Sequence, residues 1–342
     1  MSIDDDPSNG LQQMMQAQQF KTLLAELQEG LQLYWKTADR ILAPCGVSLK
    51  PPDASVLSFK KNFFSMLFLY SYQRAGIRSP RRVLYAATLQ CLRGMVTGCD
   101  NLLDDEYKPT LETDIPATGR RFRSVVDIMV SDRVLFQILL EAAHRGEIAL
   151  DRVPLASTAS MKTMTRSGIE EACEEGGVVQ ILPPEEILQT IHHYKTGILF
   201  QCPWDIPKSI ETVDEVHLTP LLAGLYHIGM GCQMMDDMVD LAVDVRNRKH
   251  NYIVSLIHHG EDADEREKLA RAMSADARAV PNALRINLFP IAARQAREIS
   301  HRMLTEGFDL LFAREHQILV PFAIRFLEQR IGVDDPDGGM VP

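Results

Sequence analysis

The stretch Thr219–Asp244, TPLLAGLYHIGMGCQMMDDMVDLAVD, decides the fold class. Its apolar residues recur at intervals of three and four, the period of a helix, and the run of Leu, Met and Val continues up to and past Asp236, Asp237, Asp240 and Asp244. Positions 236, 240 and 244 share one stripe of such a helix, with Asp237 beside it. The surrounding Met and Val predict a largely buried helix. A buried stripe of carboxylates is very unfavourable unless cations accompany it, and hard divalent ions with oxygen ligands are the natural partners.

The same period extends outward over nearly the whole chain, with helices expected at 11–43, 54–75, 80–106, 120–146, 156–174, 184–201, 213–247, 250–259, 263–278, 282–307 and 309–331. No alternating stretch or Asn-Gly hairpin signal interrupts them, so the chain reads as all-α. Prolines fall at the expected starts and breaks. Thr219-Pro220 reads either as a cap with a first-turn proline or as a kink in a helix entering from Val213. With no Pro/Gly/Ser-rich linker and no internal repeat, residues 11–332 are expected to form a single large helical domain, with disordered ends at 1–10 and 333–342.

A second carboxylate cluster lies upstream, in Cys99-Asp100-Asn101-Leu102-Leu103-Asp104-Asp105-Glu106. Asp100 and Asp104 are four apart and so project from one helix face, near a C-terminus where the macrodipole disfavours anions. One such pair alone reads as a solvated face. Two clusters in apolar helices point to a shared metal site, and Tyr194-Lys195-Thr196-Gly197 adds a cation and a hydroxyl at a helix end between them in sequence.

The formal charge of −10 argues against a nucleic-acid partner, which would call for a basic stripe. It also means that an anionic ligand must be held locally, through metal ions that bridge it to the carboxylates. The N-terminus MSIDDDPSNG lacks the basic and apolar regions of a signal peptide, and no run reaches the ~18 apolar residues of a membrane span. Six scattered cysteines without a CxxC pair read as reduced thiols, and the expected location is cytoplasmic.

DNLLDD, YKTG and QMMDDMVD, in this order and at this spacing, resemble the trans-isoprenyl diphosphate synthase (polyprenyl synthetase) family over about residues 50–260. The resemblance implies an isoprenoid synthase bundle in which two aspartate helices face each other across a deep apolar cavity. It implies Mg²⁺, three ions, bound by Asp100, Asp104, Asp236 and Asp240, with Asp105 and Asp237 as further ligands or supporting groups. Lys195, Thr196 and Gln233 would contact the allylic diphosphate or position its metals. Met95 and Val96 would line the pocket beneath, and Lys249 lies close enough to Asp244 in sequence to reach a bound diphosphate. A homodimer is expected by the same resemblance.

The basic features for a second, non-allylic diphosphate are kept poorly. Gly76-Ile77-Arg78-Ser79-Pro80 lacks the family's Lys, Lys108-Pro109-Thr110 lacks its paired Arg, Arg93 stands at an expected His, and Asn101 replaces the second Asp. Prenyl transfer to isopentenyl diphosphate, using Arg78 and Arg93, therefore competes with terpene cyclisation of one allylic diphosphate. The DxxxDD form is also similar to that of squalene and phytoene synthases, against which the Lys-Thr pair argues.

From other classes, Glu141-x-x-His144 and Glu298-x-x-His301 match the pairs of ferritin-like di-iron bundles, and an inactive regulatory subunit is a further alternative. His192-His193 and His258-His259 read as surface histidines and Glu170-Glu171-x-x-Glu174-Glu175 as an exposed acidic face. Arg120-Arg121-x-Arg123 reads as solvated charge, or as a substitute for the missing Arg pair.

Overall fold

Phe20, Leu23, Leu27, Leu31, Tyr34 and Ala38 recur at three and four, and all are buried along one side of the first helix, α1 (Gln18–Leu42). The computed structural model describes residues 17–105, 107–274 and 284–333. The expected disordered ends 1–10 and 333–342, apart from Val333, the expected helical residues 11–16, 275–278 and 282–283, and Glu106 lie outside the described residues. The helices that follow are α2 (Phe63–Arg74), α3 (Ser79–Leu103), α4 (Arg120–His144), α5 (Arg152–Thr158), α6 (Met161–Ala172) and α7 (Pro184–Glu186), which runs into a π-helix, Ile187–Gly197. Next come α8 (Asp205–Ile210), α9 (Glu215–Val239), α10 (Leu241–Asn247), α11 (Tyr252–His259), α12 (Ala263–Ser274), α13 (Pro290–Leu311) and α14 (Val320–Ile331). No strand occurs among the described residues, and the all-α class expected from the sequence is what is found.

Several boundaries differ from the expected ones. The stretch 54–62 is made of turns, 156–174 divides into α5 and α6, and 309–331 is split into the end of α13, a 3₁₀ turn, Arg314–Leu319, and α14. Pro220 sits inside α9, the second of the two sequence readings. The break comes instead at Asp240, which stands at the first residue before α10, although the bonds from Asp240 N to Asp236 O and from Asp244 N to Asp240 O carry the helical spacing across it at 2.8 and 2.9 Å.

The chain forms two compact units, residues 17–165 with 202–219 and residues 166–201 with 220–333. In the N-terminal unit α3 packs against both α1 and α4. Arg82 on α3 donates to both oxygens of Glu26 on α1 at 2.6 and 2.8 Å, a buried bidentate pair that fixes their register. At Gly98 a Cβ would lie 2.6 Å from Ile128 Cγ1 and 3.0 Å from Ser124 O, so only glycine allows α3 to approach α4 this closely just before the first aspartate motif. The segment 202–211 is held to this unit by Trp204 Nε1 donating to Ser71 Oγ and Tyr72 OH to Pro203 O.

In the C-terminal unit the Glu265 carboxylate caps α13 by accepting from Ile291 N and Ala292 N at 2.7 and 3.3 Å. Ser300 Oγ donates to Gly231 O, tying α13 to α9. No described helix is long and apolar enough to cross a membrane.

Candidate active site

The second aspartate motif separates its neighbouring carboxylates. Asp236 is exposed on α9, whereas Asp237 is 3% exposed. Asp237 Oδ2 accepts from Tyr252 N at 2.5 Å and from His192 Nε2 at 2.9 Å, and Oδ1 accepts from Gln233 Nε2 at 3.0 Å. Burial works to raise the Asp237 carboxyl, but the His192 ring and these donors outweigh it and hold the group below the ordinary carboxylate range. Its oxygens are thus committed to protein donors, the arrangement of a group that orients its neighbours. The stripe 236, 240, 244 is less buried than the sequence predicts, because Asp237 is the residue that points inward.

Thr196 Oγ1 donates to Gln233 Oε1, so Thr196, Gln233, Asp237 and His192 form one hydrogen-bonded chain. Three of these four residues were predicted site residues. His192 was not: it is 2% exposed, which corrects its reading as a surface histidine. Gly197 permits the π-helix to reach α9, since a Cβ there would lie 2.5 Å from Tyr226 Cε2. Asn251 donates to Asp237 O at 2.7 Å and to Asp244 Oδ2 at 2.8 Å, while its own Oδ1 caps α11. Burial first, and then the carboxylates of Asp237 and Asp240, push the Asp244 carboxyl well above its usual value.

Lys195, 9% exposed, donates to Glu174 Oε2 at 2.7 Å and pairs with Glu171 Oε2 at 3.1 Å. Burial opposes its charge, but the two glutamates prevail and hold it protonated, above the usual lysine range. Glu174 is 2% exposed, so the acidic stretch 170–175 is not a plain solvated face. Lys249 also acts on Glu174 electrostatically; its turn is fastened by Lys249 N to Asp244 O at 2.9 Å and by Val178 N to Arg248 O at 2.7 Å. The C-terminal unit thereby gathers Lys195, Thr196, Gln233, Asp237, Asp244 and Lys249.

In the N-terminal unit Asp100 and Asp104 are exposed at the end of α3, with Asp104 N bonded to Asp100 O at 2.9 Å. Asp105 takes φ +53° and pairs with Arg121 at 3.0 Å in the open. Asn101, 2% exposed, accepts from Lys108 N at 2.8 Å and donates to Lys108 O at 3.1 Å. An aspartate has no donor for the second bond, which gives the Asn at this position a physical reason. Arg123 lies 4.7 Å over the Tyr107 ring, so this part of α4 meets the loop after the motif.

Arg78 and Arg93 lie fifteen residues apart along α3, about 22 Å at the helical rise, too far to grip one diphosphate together. Arg93 donates to Asn62 Oδ1 at 3.4 Å, in the turn that carries the exposed Lys60 and Lys61. Glu141 is engaged by Arg40 at 2.9 Å and by Gln137, and His144, Glu298 and His301 are exposed.

Asp244, raised first by burial and then by the nearby carboxylates of Asp237 and Asp240, offers oxygen atoms of the kind a hard divalent ion takes. Among the described residues no three Asp, Glu, His or Cys side chains converge to hold one unaided. Mg²⁺, which keeps waters and uses one or two carboxylates plus phosphate oxygens, fits that donor set.

No family model matches the chain, and no curated protein sequence matches it significantly. Solved structures do. The geranylgeranyl pyrophosphate synthetase of Pyrococcus horikoshii Ot3 is 17% identical at a TM-score of 0.60, over 92% of this chain and 100% of that one. A decaprenyl diphosphate synthase from Rhodobacter capsulatus is 16% identical at 0.58, over 95% and 99%. The geranylgeranyl pyrophosphate synthase of Corynebacterium glutamicum, complexed with isoprenyl diphosphate and magnesium, is 16% identical at 0.56, over 90% and 99%. This chain has the all-helical isoprenoid synthase fold seen in these trans-isoprenyl diphosphate synthases, at 16–17% identity to them.

Proposed function

We propose that the protein is a Mg²⁺-dependent isoprenoid diphosphate enzyme that ionises an allylic prenyl diphosphate and transfers the prenyl cation to an acceptor such as isopentenyl diphosphate. The observation that carries this reading is the hydrogen-bonded chain Thr196–Gln233–Asp237–His192, half-buried at Thr196 and Gln233 and buried at Asp237 and His192, with Lys195 next to its first member and Asp236 next to its third. A fold relative solved with isoprenyl diphosphate and magnesium supports the choice of ligands.

In this reading Asp236 and Asp240 hold metal from the second motif and Asp100 and Asp104 from the first. Asp237 orients its helix, and Asp105 with its Arg121 partner borders the first motif. Bound Mg²⁺ supplies Lewis-acid stabilisation of the departing diphosphate. Lys195 and Lys249 neutralise diphosphate oxygens, and Thr196 and Gln233 contact the diphosphate or position its metals. Met95, buried, and Val96, half-buried, belong to the apolar wall that keeps water from the cation. For a second diphosphate the cations are Arg93 with Lys60 and Lys61, since Arg78 lies too far along α3.

The separation of Arg78 from Arg93 favours a second reading, a terpene cyclase that needs one substrate. One experiment tests both: geranyl, farnesyl and geranylgeranyl diphosphate, each with and without labelled isopentenyl diphosphate, in Mg²⁺ and in EDTA. Transfer requires label in a longer chain. Hydrocarbon or alcohol without label establishes cyclisation. Absence of Mg²⁺-dependent diphosphate release with all three substrates refutes both.

We also infer a cytoplasmic homodimer. Along α4, Phe122, Val125, Met129 and Phe136 are exposed at helical spacing, an apolar stripe of the kind a second subunit covers.

A further inference from the structure

Lys195 is the cation that the proposed function assigns to diphosphate, yet its ammonium is already occupied. Two of its three donors point at carboxylates from the end of α6 and the residues after it, Glu171 at 3.1 Å and Glu174 at 2.7 Å. A second tie holds the same surfaces together, with Ser167 Oγ donating to Lys195 O at 2.9 Å. Glu174 is nearly sealed from solvent, and its other oxygen, Oε1, is buried without a hydrogen-bond partner. Burial raises its carboxyl above the usual carboxylate range, and what charge it keeps depends on Lys195 and, to a lesser degree, on Lys249.

We propose that Glu171 and Glu174 form a carboxylate latch on Lys195, which an incoming diphosphate must displace, so that this pair sets the protein's affinity for polyphosphate anions. The inference rests on the diphosphate role given to Lys195 under the proposed function. The direction of the effect follows from charge. When Lys195 turns to a phosphate, Glu174 is left as a buried carboxyl with neither oxygen hydrogen-bonded and an anion nearby, an unfavourable state for its charged form. Glutamine at 174 keeps the size and the acceptor but leaves no charge behind when the lysine departs. A residue that only supported the fold would behave oppositely, since its loss would loosen Lys195 and weaken binding.

The test is calorimetric binding of inorganic pyrophosphate in Mg²⁺ to the full chain and to Glu174→Gln, Glu171→Gln, Lys195→Met and the Glu174→Gln/Lys195→Met double variant. The expected result is binding about tenfold tighter in Glu174→Gln, the scale of one close charge removed from a partly screened site. Glu171→Gln, at a half-buried position, should tighten binding by a smaller factor. Lys195→Met should weaken binding, and the double variant should lose the gain. Weaker or unchanged binding in a folded Glu174→Gln overturns the latch while Lys195→Met still loses affinity, which leaves the proposed function standing. Unchanged affinity in Lys195→Met overturns both. Should Glu174→Gln fail to fold, Glu171→Gln decides: tighter binding supports the latch, and unchanged or weaker binding overturns it.

Discussion

Replacing Asp127 with asparagine should stabilise the protein at pH 8 and do almost nothing near pH 4. Asp127 is buried on α4, where Oδ2 accepts one long bond, 3.4 Å, from Thr110 N in the loop after the first aspartate motif. Burial raises its carboxyl from 3.8 to about 6, against the smaller opposing effects of Thr110 and Arg123. A raised folded-state pKa means that the fold prefers the protonated acid. That contribution is fully present below the unfolded value and is lost as pH rises through about 6. Two units correspond to about 3 kcal/mol, the penalty carried at pH 8 for a buried and poorly satisfied charge. Asparagine mimics the protonated form and can still accept from Thr110. Urea denaturation followed by circular dichroism at pH 4, 6 and 8 should give Asp127→Asn minus wild type rising from near zero to about 3 kcal/mol. A difference that stays flat across this range, or falls as pH rises, refutes the reasoning.

Asp236→Ala, which removes an exposed carboxylate, should keep the helical circular dichroism signal and lose Mg²⁺-dependent diphosphate release; activity that survives both this change and EDTA would end the metal assignment. Asn101→Asp loses the donor to Lys108 O and buries a charge, so a destabilisation of about 1–3 kcal/mol is expected in denaturant melts, and a neutral result would show that the amide clamp is idle. Met129→Glu places a charge in the exposed stripe of α4 and should shift sedimentation from dimer to monomer at micromolar concentration, whereas an unchanged dimer would locate the interface elsewhere.

The helical class was legible because the apolar period of three and four runs through nearly every segment, and period is a local property. The second motif stood out for a related reason: four carboxylates inside an otherwise apolar run need partners, and Asp237 and Asp244 find theirs in protein donors. Which of the adjacent Asp236 and Asp237 faces inward was not legible. That choice is made by His192 and by the amide of Tyr252, which come from other elements of the chain. The π-helix was hidden for a different reason. Its widened turn over Ile187–Gly197 departs from the 3.6-residue period by which helices are recognised, and such widening is frequent at functional sites.

Asn101 and Glu174 show how a single letter misleads when its partner is distant or has the wrong chemistry in the reader's frame. Read against a pattern of metal ligands, Asn101 is a lost carboxylate; read from its bonds, it is an amide whose donor and acceptor close the loop to Lys108. Glu174 in an acidic run looks like solvated surface, yet the chain returns 21 positions later to set Lys195 against it. In both cases the local pattern reports charge alone, while the role is set by what that charge or dipole meets after folding. The same logic separates the two cations proposed for a second diphosphate. Arg78 and Arg93 are equal as letters, but the rise of α3 holds them about 22 Å apart, and Asn62 brings Arg93 to the turn of Lys60 and Lys61. Arg93→Ala should therefore raise the KM for isopentenyl diphosphate at least about tenfold, the loss of one charge-assisted contact, with the allylic KM nearly unchanged. Arg78→Ala should alter neither. Equal effects of the two substitutions would contradict the geometry of α3 as the basis of the assignment.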